Sequence, residues 1–146
     1  MEVFDLEGGT KNIAGIEFRG AFNNPTLEEN WNLVRSVVLE KAIEGNITLL
    51  DYPKDSLPNN QIHQFIGINI EGTMAEIPSS FEVRTYEYER KLAVFLSMHP
   101  LVRPRPQTIQ RLISEKAKEL GYTLLPFYVE THFQDNSLIV EGLIKN

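Results

Sequence analysis

Cysteine is absent from the 146 residues, which removes disulfides, thiolate metal sites and thiol nucleophiles. Long apolar runs are missing as well: nothing approaches the ~18 residues of a membrane-spanning helix. The opening Met1-Glu2-Val3-Phe4-Asp5-Leu6-Glu7 has neither the basic start nor the apolar stretch of a secretory signal. The chain therefore reads as cytoplasmic. Basic charge is scarce, with 14 Lys and Arg against 20 Asp and Glu and a formal net charge of -6. Phosphate backbones select basic faces, so neither direct nucleic-acid binding nor a membrane role is expected. One small basic cluster, Arg103, Arg105 and Arg111 around Pro104 and Pro106, reads as a solvated loop and helix start. No phosphate loop, G-x-S-x-G or G-x-G-x-x-G is present. The three histidines, His63, His99 and His132, lack metal-ligand spacing. No cofactor, no metal and no catalytic residue is expected. Glu71 with Glu76, and Glu87 with Glu89, need no catalytic explanation.

What is present is an ordinary globular composition, 42% hydrophobic, at a length that fits one domain over residues 1–146. Two helices are expected. The first follows Asn24-Pro25, with Thr26 and Glu29 as a capping box. Leu27, Trp31, Val34, Val38 and Ala42 recur at helical spacing, and Gly45 supplies the stop. The second follows Arg103-Pro104-Arg105-Pro106, with the stripe Ile109, Leu112, Ile113, Ala117 and Leu120 and a stop at Gly121. Strand-like runs cover Glu2–Leu6, Ile13–Arg19, Ile47–Tyr52, Ile62–Ile70, Phe81–Glu89, Leu92–Met98, Phe127–Phe133 and Leu138–Ile144. Gly8-Gly9 reads as a hairpin turn between the first two runs.

The order repeats: two strands, a helix, two strands. Glu2-Val3 lies over Glu82-Val83, Ala14 over Ala93, and Trp31 and Val34 over Ile109 and Leu112. The expected fold is thus α+β, a duplicated ββαββ-type repeat with pseudo-repeats of about 1–78 and 79–146. It forms one antiparallel sheet with both helices on one face and a ligand cleft on the other. The segments Asp51–Asn60 and Gly72–Ser80 are loops able to fold over that cleft.

The run Leu125-Pro126-Phe127-Tyr128-Val129-Glu130-Thr131-His132-Phe133 places a carboxylate in the middle of an aromatic strand. An unpaired charge inside an apolar sheet costs several kcal/mol. Phe127, Val129, Thr131 and Phe133 make the better core face, which leaves Tyr128, Glu130 and His132 on the open one. In the neighbouring runs Tyr86 and Tyr88 share a face, and His63, Phe65, Gly67 and Asn69 share another. Tyrosines around one carboxylate suit a lipophilic cation, though the same alternation also suits a solvated sheet face.

The stretch Asn12-Ile13-Ala14-Gly15-Ile16-Glu17-Phe18-Arg19-Gly20-Ala21-Phe22, followed by a helix bearing Trp31, resembles the opening of the GyrI-like effector-binding domains. Leu92-Ala93-Val94-Phe95 resembles their second-half strand, and Gly121-Tyr122 through the Glu130 strand to Glu141-Gly142 resembles their closing section. The resemblance implies a tandem repeat with a hydrophobic cleft, the drug-sensing part of bacterial multidrug transcription regulators. It also implies a glutamate on the penultimate strand that meets cationic drugs, the position of Glu130, with Trp31 as the helix tryptophan near the cleft. Leu92, where the family has tyrosine, and Met98-His99-Pro100, where it has a His-Gly turn, depart from the pattern. No helix-turn-helix is read in these residues, so a stand-alone binder is expected. Its ligand is a small hydrophobic or cationic compound, and the expected ligand-binding residues are Glu130, Trp31, Tyr128, Tyr88, Tyr86, His132 and Phe65. Two alternatives stand beside it. One is a hydrolase of small electrophiles, with Glu130 as base and Tyr128 or Tyr88 as proton donor. The other is a protein-interaction module like the gyrase inhibitor, with a protein partner.

Overall fold

In the computed structural model, residues 1–40, 46–53, 57–58, 60–70, 77–97 and 100–145 are described. The eight strand-like runs become six strands: β1 (Phe4–Ala21), β2 (Ile47–Tyr52), β3 (Gln61–Asn69), β4 (Glu82–Leu96), β5 (Leu124–His132) and β6 (Leu138–Ile144). Two helices join them, α1 (Pro25–Glu40) and α2 (Pro106–Leu120). The loss of two strands has a local cause. Gly8-Gly9 forms no hairpin but runs straight through β1, with Glu7 opposite Arg90 and Gly9 opposite Tyr88. A Cβ on Gly8 would lie 2.3 Å from the carbonyl oxygens of both Tyr88 and Glu89. The glycine thus permits a close approach of two backbones. Across from it, Arg90 and Lys91 carry β4 through without a break, Arg90 pairing with Asp5 at 2.7 Å.

All neighbouring strands are antiparallel, in the order β1-β3-β2-β5-β6-β4, and β4 returns to β1 so that the sheet closes on itself. The fold is α+β, a six-stranded antiparallel sheet with two helices. Each half runs strand, helix, strand, strand, and β1-β3-β2 has the same internal order as β4-β6-β5. The halves meet along β1–β4 and along β2–β5.

Helix α1 begins two residues earlier than the capping box implies. Asn24 is the cap, its Oδ1 accepting the Thr26 N–H at 3.0 Å, and Pro25 takes the first helical position. Proline suits that position because its missing N–H would go unused. Ala42 and Gly45, the expected last stripe residue and stop, lie outside the described residues. Helix α2 starts at Pro106 and ends at Gly121, where φ is +72°. There the Tyr122 N–H reaches the Ala117 carbonyl at 2.8 Å, a closure that favours glycine.

Helix α1 lays Val34, Val37 and Val38 on Ala14, Leu49, Ile66 and Ile68. Helix α2 lays Ile109, Ile113 and Ala117 on Leu92, Val94, Val140 and Ile144. Alternate residues of the same strands point the other way. Ile13, Leu50, Phe65, Phe127, Val129 and Leu143 form a third cluster with Tyr52, Tyr86 and Tyr88. The sheet face turned away from the helices is therefore an interior packed with side chains, and the concavities described below open on the helix-bearing side. Of the two segments expected to be loops over a cleft, residues 54–56, 59 and 72–76 lie outside the described residues, and Asp51 and Tyr52 belong to β2. Among the described residues no helix is long and apolar enough to cross a membrane.

Candidate functional site

Among the described residues two carboxylates are buried, Glu130 at 7% and Glu141 at 3% exposure, and their surroundings differ. Glu141 sits on β6 next to the inward Leu143 and is clamped by two ammonium groups, Lys11 Nζ at 3.0 Å on Oε1 and Lys91 Nζ at 2.8 Å on Oε2. Burial pulls the Lys91 pKa down, but the hydrogen bond and charge of Glu141 outweigh it and the net shift is upward. This carboxylate is satisfied by the fold.

Glu130 lacks such a clamp. Strand β5 alternates, with Phe127 and Val129 inward and Tyr128, Glu130 and His132 toward the helices. His132 Nε2 lies 3.1 Å from Glu130 Oε1, and Oε2 has no hydrogen-bond partner among the described residues. The His132 ring meets the Trp31 ring of α1 edge to face, centroids 5.7 Å apart at 88°. The Arg35 guanidinium lies 5.7 Å above the same tryptophan. Glu130 thus stands at the β2–β5 seam, opposite Leu49, in the groove between the two helices.

His132 divides that groove. On the α2 side a concavity of about 320 Å³ is bounded by Glu130, His132, Arg103, Arg105, Ile109 and Val140. On the α1 side one of about 350 Å³ is bounded by Trp31, Arg35, Val38, Ile47, His132 and Phe133. Such volumes lie at the small end of ligand pockets. A shallower hollow of about 550 Å³ beside the first turn of α1 shares Trp31 and Arg35 but contains no buried charge.

The far side of the seam is a useful contrast. Asp51 of β2 pairs with Tyr128, and its carboxylate accepts Gln110 Nε2 of α2 at 2.7 Å and Gln64 Nε2 at 3.4 Å. The carboxylate on that side is met by side-chain amides, whereas Glu130 keeps one oxygen for the groove.

The sheet separates the other expected site residues from Glu130. Tyr86 packs on Phe127 at 4.8 Å inside the barrel, and Tyr88 lies 5.8 Å from the Lys11 ammonium there. Phe65 is fully buried beneath the Arg84 guanidinium at 4.0 Å. Tyr128 shares the Glu130 face but is taken up in the α2 core, 8% exposed. Glu130, His132 and Trp31 are brought together; Tyr86, Tyr88 and Phe65 are not. Tyr86, Tyr88 and Phe65 pack with Phe127 and Val129 on the sheet face turned away from the helices, the face opposite to Glu130.

Two features escaped the sequence reading. Arg103 and Arg105, read as solvated, edge the groove; the Arg-Pro-Arg-Pro run against the start of α2 was their signal. At one mouth of the barrel Glu17 holds His63 at 2.7 Å and Arg84 at 2.6 Å, while Arg84 also meets Glu82 at 2.8 Å. Tyr52 stacks on His63, 3.9 Å and 7°. The Arg84 and His63 hydrogen bonds hold the Glu17 carboxyl below its ordinary range. Burial, with Tyr86 beside it, raises the Tyr52 hydroxyl. These charges are mutually satisfied and come from three different strands, so no linear spacing announces them. Among the described residues no three His, Asp or Glu side chains stand together as metal ligands.

No protein-family profile matches this chain, and no curated protein sequence does. Solved structures do. A hydrolase from Listeria innocua aligns over 99% of this chain and 92% of its own, at 8% identity and a TM-score of 0.64. SAV2435, determined bound to tetraphenylphosphonium, aligns over 100% and 95%, at 11% identity and 0.56. EcmrR, determined in a complex with DNA, aligns over 99% of this chain and 57% of its own, at 11% identity and 0.65. At these identities the likeness is one of fold: this chain has the fold that these three proteins share.

Proposed function

We propose that this protein is an effector-binding domain that takes a small apolar, aromatic compound into the groove between α1 and α2. The ligand presents a cationic or hydrogen-bond-donating group to Glu130. One observation carries the reading: of two buried carboxylates, Glu141 has two lysines and Glu130 has one imidazole and an oxygen left toward the groove. A desolvated carboxylate is costly without a counter-charge, and a bound cation would supply it. Trp31 and His132 add aromatic faces and edges beside that charge. The bound phosphonium in SAV2435 supports the same chemistry. We read the chain as two pseudo-repeats, about 1–78 and 79–146, with the groove along the β2–β5 seam where they meet.

The test is thermal melting with tetraphenylphosphonium and with neutral triphenylphosphine oxide, on wild type and Glu130→Gln, with Trp31 fluorescence read alongside. Ligand at ~100 times Kd stabilises by about 2.7 kcal/mol. The expected result is a shift for both compounds in wild type and a loss confined to the cation in Glu130→Gln. Equal losses for both compounds, or no shift in wild type, would sink the proposal.

A hydrolytic use of the same groove is the second reading. It is favoured by the carboxylate oxygen beside an open cavity and by the fold shared with a hydrolase from Listeria innocua. Glu130 would activate water, and Tyr128 rather than Tyr88 is on its face. Turnover of an epoxide panel that vanishes in Glu130→Gln, with binding retained, is the outcome that would establish it.

A further inference from the structure

The groove between the helices holds two concavities, about 320 Å³ beside α2 and about 350 Å³ beside α1. Among the described residues one side chain, His132, borders both. Each volume alone is at the lower edge of what drug-sized ligands occupy, and the two joined would fall well within that range. What separates them is a ring that the core does not lock. The His132 main chain is fixed, paired with Ile47 of β2 on one side and Leu138 of β6 on the other. Its side chain, by contrast, is 33% exposed, against 9% for that of Glu130. Two contacts hold the ring across the groove. Nε2 lies 3.1 Å from Glu130 Oε1, and the ring meets Trp31 edge to face at 5.7 Å. An ionised Glu130 accepts from a protonated Nε2 in the neutral and in the charged ring alike, so the first contact is available in either state.

We infer that His132 is the side chain that sets ligand size in this groove, a divider that keeps single-ring compounds in one concavity and must rotate aside for compounds with several aromatic rings. This rests on the binding function proposed above and specifies how the groove sorts its ligands. With the main chain held from both sides, the movement is one of the side chain alone. A large aromatic cation can replace both contacts that it breaks. Its charge takes the Glu130 carboxylate, and one of its rings takes the face of Trp31. A single-ring compound has no need to break either.

Three probes separate size from charge: benzyltrimethylammonium with one ring, tetraphenylphosphonium with four, and neutral triphenylphosphine oxide with three. Each is titrated by calorimetry at about pH 8, above the ordinary imidazole range, into wild type, His132→Ala, His132→Ser, His132→Phe and Glu130→Gln. Melting points check that the variants fold. The quantity read is the affinity for tetraphenylphosphonium divided by that for benzyltrimethylammonium. In His132→Ala and His132→Ser this ratio should rise at least about tenfold, ~1.4 kcal/mol. His132→Phe keeps a ring of similar bulk without the hydrogen bond, and its ratio should stay within about threefold of wild type. Triphenylphosphine oxide should gain together with tetraphenylphosphonium in the truncations, because the effect is one of space. An unchanged or lower ratio in the truncations overturns the inference. So does a gain confined to cations, or a rise in His132→Phe as large as that in His132→Ala. If it is overturned while Glu130→Gln still weakens both cations, the proposed function stands. If neither cation binds wild type or the truncations, or Glu130→Gln weakens neither, both fail.

Discussion

Glu130→Gln and Glu141→Gln remove the same charge from two side chains of nearly equal burial, 7% and 3% exposed. The consequences for stability should be opposite. Losing Glu141 leaves two ammonium groups facing each other, with Lys11 12% and Lys91 26% exposed. Breaking a buried ion pair by removing one partner costs about 3–5 kcal/mol. Since Lys91 can recover some water, the lower end, about 3 kcal/mol, is the expected figure. At roughly 4 °C per kcal/mol for a domain of this size, Tm should fall by about 12 °C. Losing the Glu130 charge strands no cation among the described residues, and the amide can still bond to His132. It also removes a desolvated charge. Tm of the ligand-free protein should stay within about 4 °C of wild type, ~1 kcal/mol, or rise. Groups retained for binding commonly carry that stability signature. The assay is thermal melting followed by circular dichroism at pH 8, above the range in which free imidazoles carry charge. A fall for Glu130→Gln as large as that for Glu141→Gln would refute the reasoning, because Glu130 would then be a structural carboxylate like Glu141.

Acid titration tests the barrel-mouth cluster. The folded-state pKa of Glu17 lies below its ordinary 4.5, chiefly through the Arg84 hydrogen bond and then that of His63. A depressed carboxylate pKa stabilises the fold above the unfolded value, and the contribution is lost as pH falls through the folded one. The Tm gap between wild type and Glu17→Gln should therefore be full well above 4.5 and shrink as pH falls below that value. It should be small throughout, because the Glu17 side chain is 44% exposed; a gap that widens in acid contradicts the assignment. A glycine pair tests the β1–β4 approach. Gly8→Ala must push apart two backbones whose oxygens lie 2.3 Å from the new Cβ, whereas Gly9→Ala meets only the end of the Tyr88 side chain at 3.3 Å. Chemical denaturation should show a loss of about 1–3 kcal/mol or more for Gly8→Ala and much less for Gly9→Ala, and equal effects would disprove the close approach.

Elements built from local signals were legible in the residues. Pro106 and Gly121 bound α2 because fixed φ at one end and positive φ at the other are properties of single residues. The stripes of both helices, the runs that became β2, β3, β5 and β6, and the α+β order needed only periodicities of 3.6 and 2. Gly8-Gly9 was misread because a glycine that turns the chain and one that admits a neighbouring backbone look alike until the neighbour, β4, is in place. Glu130 was legible as an exceptional charge, and His132 and Trp31 as its aromatic company. Only the tertiary structure decided which way they point. A period of two says that Phe127 and Val129 face opposite to Tyr128, Glu130 and His132, but it is symmetric between the faces. Closure of β4 onto β1 broke that symmetry, putting Tyr86, Tyr88 and Phe65 inside and Glu130 under the helices. It also brought Arg103 and Arg105, remote from Glu130 along the chain, to the same groove, because the charge around a site is a sum over elements that only packing assembles.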